Sequence, residues 1–220
     1  MNQSLKVLVM TAVAAERDAM LRGLGDEGGS GRFDVQLAGV GPAAAAAHTA
    51  LALSRAEYGL VISAGIAGGF AGRAEVGALV VASEIVCADL GVETGEGFAS
   101  VDELGFGSSR IAVDGRLADD LTARLSAAGL PVSSGPIVTV STATGTAATA
   151  ATLAERVPGA AAEGMEGFGV AAAARACGVP VLELRAVSNA VGPRDRASWR
   201  IKEALDMLAA ACPALREAAQ

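Results

Sequence analysis

Short β-branched runs and longer alanine-rich stretches alternate along this chain. Runs of Val, Ile and Leu bounded by Gly, Pro or polar clusters predict strands over 5–11, 33–38, 60–64, 78–87, 111–113, 132–140, 159–163 and 179–188. Between them, stretches with apolar residues at helical spacing predict helices over 15–22, 42–54, 116–128, 146–156, 165–177 and 200–211. Pro42 at a helix start, and Gly129 and Gly178 just past helix ends, are ordinary helix punctuation. Strands and helices taken in turn predict an α/β fold, a three-layer sandwich with a central mixed, mostly parallel sheet. The segment 89–110 breaks the rhythm: it is glycine-rich, carries Phe98 and Phe106, and reads as a long irregular loop of the kind that forms a lid or a partner contact. No linker and no repeat interrupts the chain, so 1–220 reads as a single domain.

Composition says what that sandwich is built from. The chain is 52% hydrophobic but only 3% aromatic, with 28 glycines, so its core is made of Ala, Val and Leu and its helices are expected to pack closely. A chain of 220 residues buries about three quarters of its unfolded surface, enough for a sizeable core. The net charge of -7, without any basic run longer than two residues, excludes a nucleic-acid footprint and points to a small-molecule partner. The three cysteines, Cys87, Cys177 and Cys212, are odd in number and far apart. They give neither a zinc spacing nor a secreted disulfide framework, and a reducing cytoplasm is expected. The apolar run near the start is too short to span a bilayer and reads as the first strand, so no membrane or targeting segment is assigned.

Several motifs compete for function. Gly23-Leu-Gly-Asp-Glu-Gly28 has the spacing G-x-G-x-x-G but sits at a helix end, so it reads as a chance match to a dinucleotide site. Gly39-Val-Gly-Pro-Ala-Ala44 is better placed, after a strand and opening a helix, yet the next strand lacks the acid that would hold a ribose. Ser63-Ala-Gly-Ile-Ala-Gly-Gly-Phe70 closes a strand with glycines, allowing a ligand to approach the backbone, and no P-loop Lys follows. The only histidine, His48, has no G-x-S-x-G elbow beside it and reads as structural or exposed. Two acids stand at helix starts, Glu16 and Glu166, where the helix dipole alone suits a carboxylate. They gain meaning if the strand ends bring them to Arg185-Ala-Val-Ser-Asn189, the edge where open α/β sheets bind ligands.

Glu16 after the first strand, GIAGGF after a middle strand, MEGFGVA at a late helix and RAVSN after the next strand together resemble the purine nucleoside phosphorylase and nucleosidase superfamily. The likeness runs from about residue 5 to residue 210. Within that superfamily, VMTAVAAERDAML, ASEIVCADLGVET and VSNAVGPRDRASW are similar to the futalosine hydrolases, nucleosidases of the futalosine route to menaquinone. The resemblance implies that Glu16 orients and deprotonates the attacking water, with Arg185 near it. It implies that Glu166 binds the ribose hydroxyls beside Met165, which packs on the sugar, and that the glycine loop with Ser63, Gly65 and Ile66 lies by the substrate. Asn189 stands where the superfamily pattern V-S-D has an acid that handles the purine N7. It further implies a cytoplasmic homo-oligomer, dimeric or larger, with a neighbouring chain closing the 5′ pocket, and no metal or organic cofactor.

The chemistry of N-glycosidic cleavage accounts for these residue types. Positive charge grows on the ribose and negative charge on the leaving base, so acceptors belong by the sugar and donors by the base. A carboxylate of modestly raised pKa at Glu16 could take the proton of the attacking water, with Arg185 steadying its charge and direction. Opposite a 6-oxopurine, the Asn189 amide can donate to O6 while its carbonyl accepts from a protonated N7, which favours hypoxanthine as the leaving base; a flipped amide would suit adenine. Phosphorolysis needs arginines for a dianion, and neither LVISAG nor GVGPA carries one, which favours water. The superfamily's adenosine-type nucleosidases have a serine near the water where this chain has Ile66, so the water is expected to use the backbone or Ser63 instead. Phe168 is the expected base-stacking residue, and backbone groups near Thr144 are expected to read the purine edge. Phe98, Phe106 and Trp199 are candidates for the 5′ slot, with Arg194 or Arg196 for the carboxylate of futalosine. The rival readings are an adenine-releasing nucleosidase, a phosphorylase and a nucleoside-binding module without catalysis; the two acids argue against the last.

Overall fold

The structure, a computed structural model, describes residues 6–28 and 31–219. The elements run β1 (Lys6–Thr11), α1 (Ala14–Leu24), β2 (Phe33–Leu37), α2 (Pro42–Arg55), β3 (Tyr58–Gly69), β4 (Leu79–Cys87), β5 (Gly91–Thr94), β6 (Gly97–Ser100), β7 (Arg110–Ala112), α3 (Gly115–Ala127), β8 (Val132–Thr139), α4 (Ala147–Arg156), β9 (Ala162–Gly164), α5 (Gly167–Ala176), β10 (Val181–Ala190) and α6 (Ile201–Ala218). The α/β sandwich and its mixed, mostly parallel sheet are as expected from the sequence. The expected start of the first strand at residue 5 lies outside the described residues.

Eight strands form one sheet that curls back on itself. β3 pairs with β10, β10 with β4, β4 with β8, β8 with β9, and β9 with the far end of β3, closing a ring. β1 and β2 extend the sheet beyond β3. The pairings β1 to β2, β1 to β3, β3 to β10, β4 to β8 and β8 to β9 are parallel; β4 to β10, β3 to β9 and β4 to β7 are antiparallel.

Period-two alternation sorts each strand between two cores. Val7 and Val9 of β1 face α1, α3 and α6, packing with Met20, Leu121 and Leu208. Leu8 and Met10 face α2 and α5, packing with Ala45, Val170 and Ala174. Leu153 of α4 closes a third cluster with Phe70, Val86 and Val138. Helices therefore cover both faces of the sheet, which gives the three layers. Glycine sets the closest helix approaches: a Cβ at Gly169 of α5 would run into the carbonyl of Pro42 of α2. One at Gly23 of α1 would run into the carbonyl of Ala209 in α6, the group that Pro213 leaves without its helical N–H donor. The glycines of the apparent G-x-G-x-x-G are thus packing and capping residues, with Gly25 ending α1 at a φ of 60°.

Three expectations change. β3 does not stop at 64 but continues through the glycine cluster to Gly69, because β9 and β10 both supply ladder partners there. The segment 89–110 is not wholly irregular, since β5 and β6 form a two-stranded hairpin. α6 runs past 211 to Ala218, its apolar face buried against α1 and α3.

Candidate active site

The ends of β1, β3, β9 and β10 and the starts of α1 and α5 surround a cavity of about 280 Å³. Ring closure explains the convergence: β3 carries Ile66 and Gly68 between β10, with Ser188 and Asn189, and β9, with Glu163 and Gly164. Glu16, Ile66, Thr144, Met165, Glu166 and Asn189, six of the residues expected at the site, all line this cavity.

Glu16 is the third residue of α1 and is 3% exposed. Its Oε2 accepts from the N–H groups of Ala12 at 2.9 Å and of Val13 at 3.2 Å, Val13 being the N-cap residue of α1 and Ala12 the residue before it. This is half of a capping box, because Val13 has no side-chain acceptor to reciprocate. Its Oε1 accepts from the Ile66 N–H at 2.9 Å, across from β3. Burial pushes the Glu16 carboxyl above its ordinary value, opposed by the charge of Arg185 and by the hydrogen bond from Ile66. Three backbone N–H groups, not Arg185, fix its direction, which corrects the expectation that Arg185 orients it.

Arg185 is almost fully buried beneath the cavity. Its Nε donates to Glu183 Oε1 at 2.8 Å, its Nη2 to Ser63 Oγ at 3.2 Å, and its Nη1 reaches Glu166 Oε2 at 3.4 Å. Burial works against its charge, but Glu183, Glu166 and Glu16 together outweigh burial and hold it above the usual guanidinium range. Ser63 is therefore an acceptor for Arg185 and not a partner of the attacking water; it does not line the cavity. Gly65 does not line it either, and instead lets Glu16 and Arg185 approach each other across β3.

Glu166 stands at the N-cap position of α5 without capping it through its side chain, and its two oxygens have different partners elsewhere. Oε1 accepts from the Gly41 N–H at 3.2 Å, at the start of α2, while Oε2 faces Arg185. The Gly-Val-Gly-Pro turn thus presents its helix N-terminus to a carboxylate of the protein itself. Asn189 is held in the β3 to β10 ladder, where it pairs with Gly68. Its Nδ2 donates to the Ala190 carbonyl at 2.9 Å, and its Oδ1 lies 2.8 Å from Ser188 Oγ. A carbonyl can only accept, so the amide NH₂ must face Ala190, and Oδ1 takes the Ser188 hydroxyl proton.

Two expected contributors are placed differently: Phe168 lies outside the cavity, and Thr144 lines it with its donors already used. Phe168 does not line the cavity; it packs against the core beneath α2 and α5, with its N–H bonded to Thr139 Oγ1 at 2.9 Å. The Thr144 N–H does not face the cavity freely but donates to Glu163 Oε1 at 2.9 Å, and its hydroxyl donates to Glu163 Oε2. Of the candidates for a 5′ slot, Trp199 and Arg194 line the cavity, with the Arg194 guanidinium 5.0 Å from the Trp199 ring. Arg196 lies 6.0 Å over the same ring but does not line the cavity. Phe98 sits under the Arg156 guanidinium in a different and larger cavity, about 650 Å³, that contains none of the residues above, and Phe106 is 79% exposed. His48 is exposed and anchored through Nδ1 to the Ala38 carbonyl at 2.7 Å, away from the cavity.

Two acids were missed in the sequence. Glu183 is fully buried inside an apolar strand run, and an acid at the centre of PVLEL is the signal that could have drawn attention to it. Burial raises its pKa against the pull of Arg185. Glu163 is 8% exposed and lines the cavity; only its place two residues before the Met-Glu pair sets it apart in the sequence. Among the described residues, no group of His, Cys, Asp or Glu is arranged to hold a metal ion, and no helix is long and apolar enough to cross a membrane.

A curled mixed sheet between helix layers, with buried acids meeting an arginine and an amide at its strand ends, goes with membership of the phosphorylase superfamily, which includes hydrolases as well as phosphorylases. The phosphorylase superfamily model matches residues 30–219. Within that superfamily the chain belongs to the futalosine hydrolase family. It is 52% identical to a futalosine hydrolase of Streptomyces coelicolor, over 93% of this chain and 92% of that one, and 48% identical to that of Acidothermus cellulolyticus, over 96% and 91%. In fold it is similar to the futalosine hydrolase of Helicobacter pylori, with a TM-score of 0.82 over 99% of both chains at 17% identity. It is similar also to the 5′-methylthioadenosine/S-adenosylhomocysteine nucleosidase of Neisseria meningitidis solved with methylthio-immucillin-A, with a TM-score of 0.79 over 97% of both chains at 22% identity.

Proposed function

We propose that this protein hydrolyses the N-glycosidic bond of futalosine, releasing hypoxanthine and dehypoxanthine futalosine. The observation that carries hydrolysis over phosphorolysis is the occupation of the Ala12, Val13 and Ile66 N–H groups by the Glu16 carboxylate. Backbone donors at a helix start and a glycine strand would suit a phosphate, but here they already hold an anion, and a second one would be repelled. A base in an anion cradle calls for a neutral nucleophile, which is water.

In this reading Glu16 takes a proton from water as the water reaches the anomeric carbon, and its raised pKa brings it closer to the range of a useful general base. Glu166, held by Gly41 and facing Arg185, binds the ribose hydroxyls, and Met165 packs on the sugar. Negative charge near the ribose stabilises the oxocarbenium-like transition state. Asn189 receives the base. Its NH₂ is the group available to O6 once it turns from Ala190, and the Ser188 hydroxyl keeps its carbonyl oriented. Arg194 and Trp199 hold the carboxyphenyl end of the substrate, cation to carboxylate and ring to ring. The 1–220 chain acts as one domain in a cytoplasmic homo-oligomer that serves menaquinone assembly.

The test is incubation of the purified protein with futalosine in phosphate-free buffer, followed by chromatography. Free hypoxanthine at a rate indifferent to added phosphate is expected. Turnover that requires phosphate, or adenine release from a 6-amino nucleoside with no action on futalosine, overturns the reading.

A further inference from the structure

Cleaving a glycosidic bond as proposed above uses two of the carboxylates that line the cavity, Glu16 for the water and Glu166 for the ribose, yet Glu163 lines it too. Its position is specific. On one side of Gly68 the ladder pairs with Asn189 of β10, and on the other with Glu163 of β9. The β10 register shifts between Val187 and Asn189, so the facing is fixed by the side chains themselves: both line the cavity, and a Cβ on Gly68 would stand 3.4 Å from Asn189 Nδ2, which sets Glu163 and Asn189 in one row with a glycine between them. Two strand spacings separate their backbones by roughly 10 Å, and Gly68 leaves the middle of that row without a side chain.

The two ends of the row differ in hydrogen-bonding character. Asn189 offers both a donor and an acceptor, so by itself it can be satisfied by either a 6-oxo or a 6-amino purine. A carboxylate accepts only. Each Glu163 oxygen takes one hydrogen bond from Thr144 and keeps a further lone pair. Thr144 spends both its N–H and its hydroxyl on this carboxylate, which leaves neither donor for the base. The edge of hypoxanthine carries an N1–H donor beside the O6 acceptor, whereas adenine carries a bare N1 acceptor beside its amino group.

This inference rests on the functional reading above. We infer that Glu163 is the residue that selects a 6-oxopurine: its carboxylate accepts the N1–H of the base while Asn189 serves the O6 and N7 side. Adenine would set its N1 lone pair against the carboxylate, an unpaired contact that Asn189 cannot relieve. Sites built to hydrogen-bond one group reject the analogue that lacks it strongly, because a buried polar group is then left unsatisfied.

The experiment is measurement of kcat/KM on futalosine and on its 6-amino counterpart for wild type and Glu163→Gln. Glutamine keeps the shape and one acceptor for Thr144 while adding an NH₂ that suits the N1 of adenine. The preference for the 6-oxo over the 6-amino substrate is expected to fall at least about tenfold. An equal loss on both substrates would make Glu163 only a clamp for Thr144 and overturn the inference while leaving the hydrolase reading intact. A second measurement needs no variant: inhibition of the wild type by hypoxanthine and by 1-methylhypoxanthine, which lacks the N1–H. Inhibition at least about tenfold weaker by the methylated base is expected, and equal inhibition overturns the proposal. A wild type that prefers the 6-amino nucleoside overturns both this inference and the substrate assigned above.

Discussion

Glu16 and Arg185 face each other across Gly65: a Cβ on that residue would stand 2.6 Å from Glu16 Oε1 and 2.7 Å from Arg185 Nη1. The acid proposed to serve the water and the cation that moderates its charge therefore share a gap that only glycine leaves open. Gly65→Ala should separate them, and also shift the Ile66 N–H that holds Glu16. A loss of kcat/KM of about a hundredfold is expected from such a displacement of a catalytic group, with ligand binding largely kept. Steady-state kinetics beside calorimetric binding of hypoxanthine would check it, and unchanged kinetics would remove Gly65 from the account.

The acid limb of the pH profile should report Glu16. Because burial raises its pKa, kcat/KM should fall with decreasing pH from a point above the ordinary carboxylate value of 4.5. Glu16→Gln should cost about a thousandfold in kcat while still binding hypoxanthine. A variant with full activity would show that the proton goes elsewhere.

Arg185 and Glu183 should behave as a coupled pair. Arg185→Met leaves Glu183 buried without its cation and should cost about 3–5 kcal/mol of stability. The double replacement Arg185→Met with Glu183→Leu should recover a large part of that loss, as a double-mutant cycle by chemical denaturation would reveal. The pH dependence follows the same residue. Glu183 is raised in the folded state, so folding binds a proton between its unfolded and folded pKa values, and the stability this supplies is present below the ordinary carboxylate range and lost as pH rises above it. Glu183→Gln should flatten that decline.

Asn189→Asp should shift the base preference. An ionised aspartate would face the Ala190 carbonyl, so the carboxyl is favoured in its protonated form, able to donate to N7. The ratio of kcat/KM for the 6-amino over the 6-oxo nucleoside should rise about tenfold, most clearly at low pH. No change in the ratio would place the base away from this residue.

Arg194→Ala should raise the KM for futalosine about tenfold, the scale of one charge-assisted contact, and leave inosine, which has no carboxylate, unaffected. An equal effect on both substrates would assign Arg194 to the loop fold and not to the 5′ group.

What the sequence determined by itself is what depends on local pattern and on motif order. Period-two and helical spacing placed most of the strands and helices, and the positions of Glu16, Glu166, Arg185 and Asn189 along the chain pointed to one strand-end site. Tertiary structure alone decided which groups meet. Phe168 follows the Met-Glu pair closely yet turns into the core, Ser63 answers to Arg185 and not to water, and Arg185 finds its closest carboxylate in Glu183. Glu163 and Asn189 are 26 residues apart and become neighbours in one row only because β9 and β10 both pair with the far end of β3. Spacing along a chain sets the face on which a side chain lies, but the closure of the sheet sets what stands opposite it, and that depends on long-range pairings that no local pattern encodes.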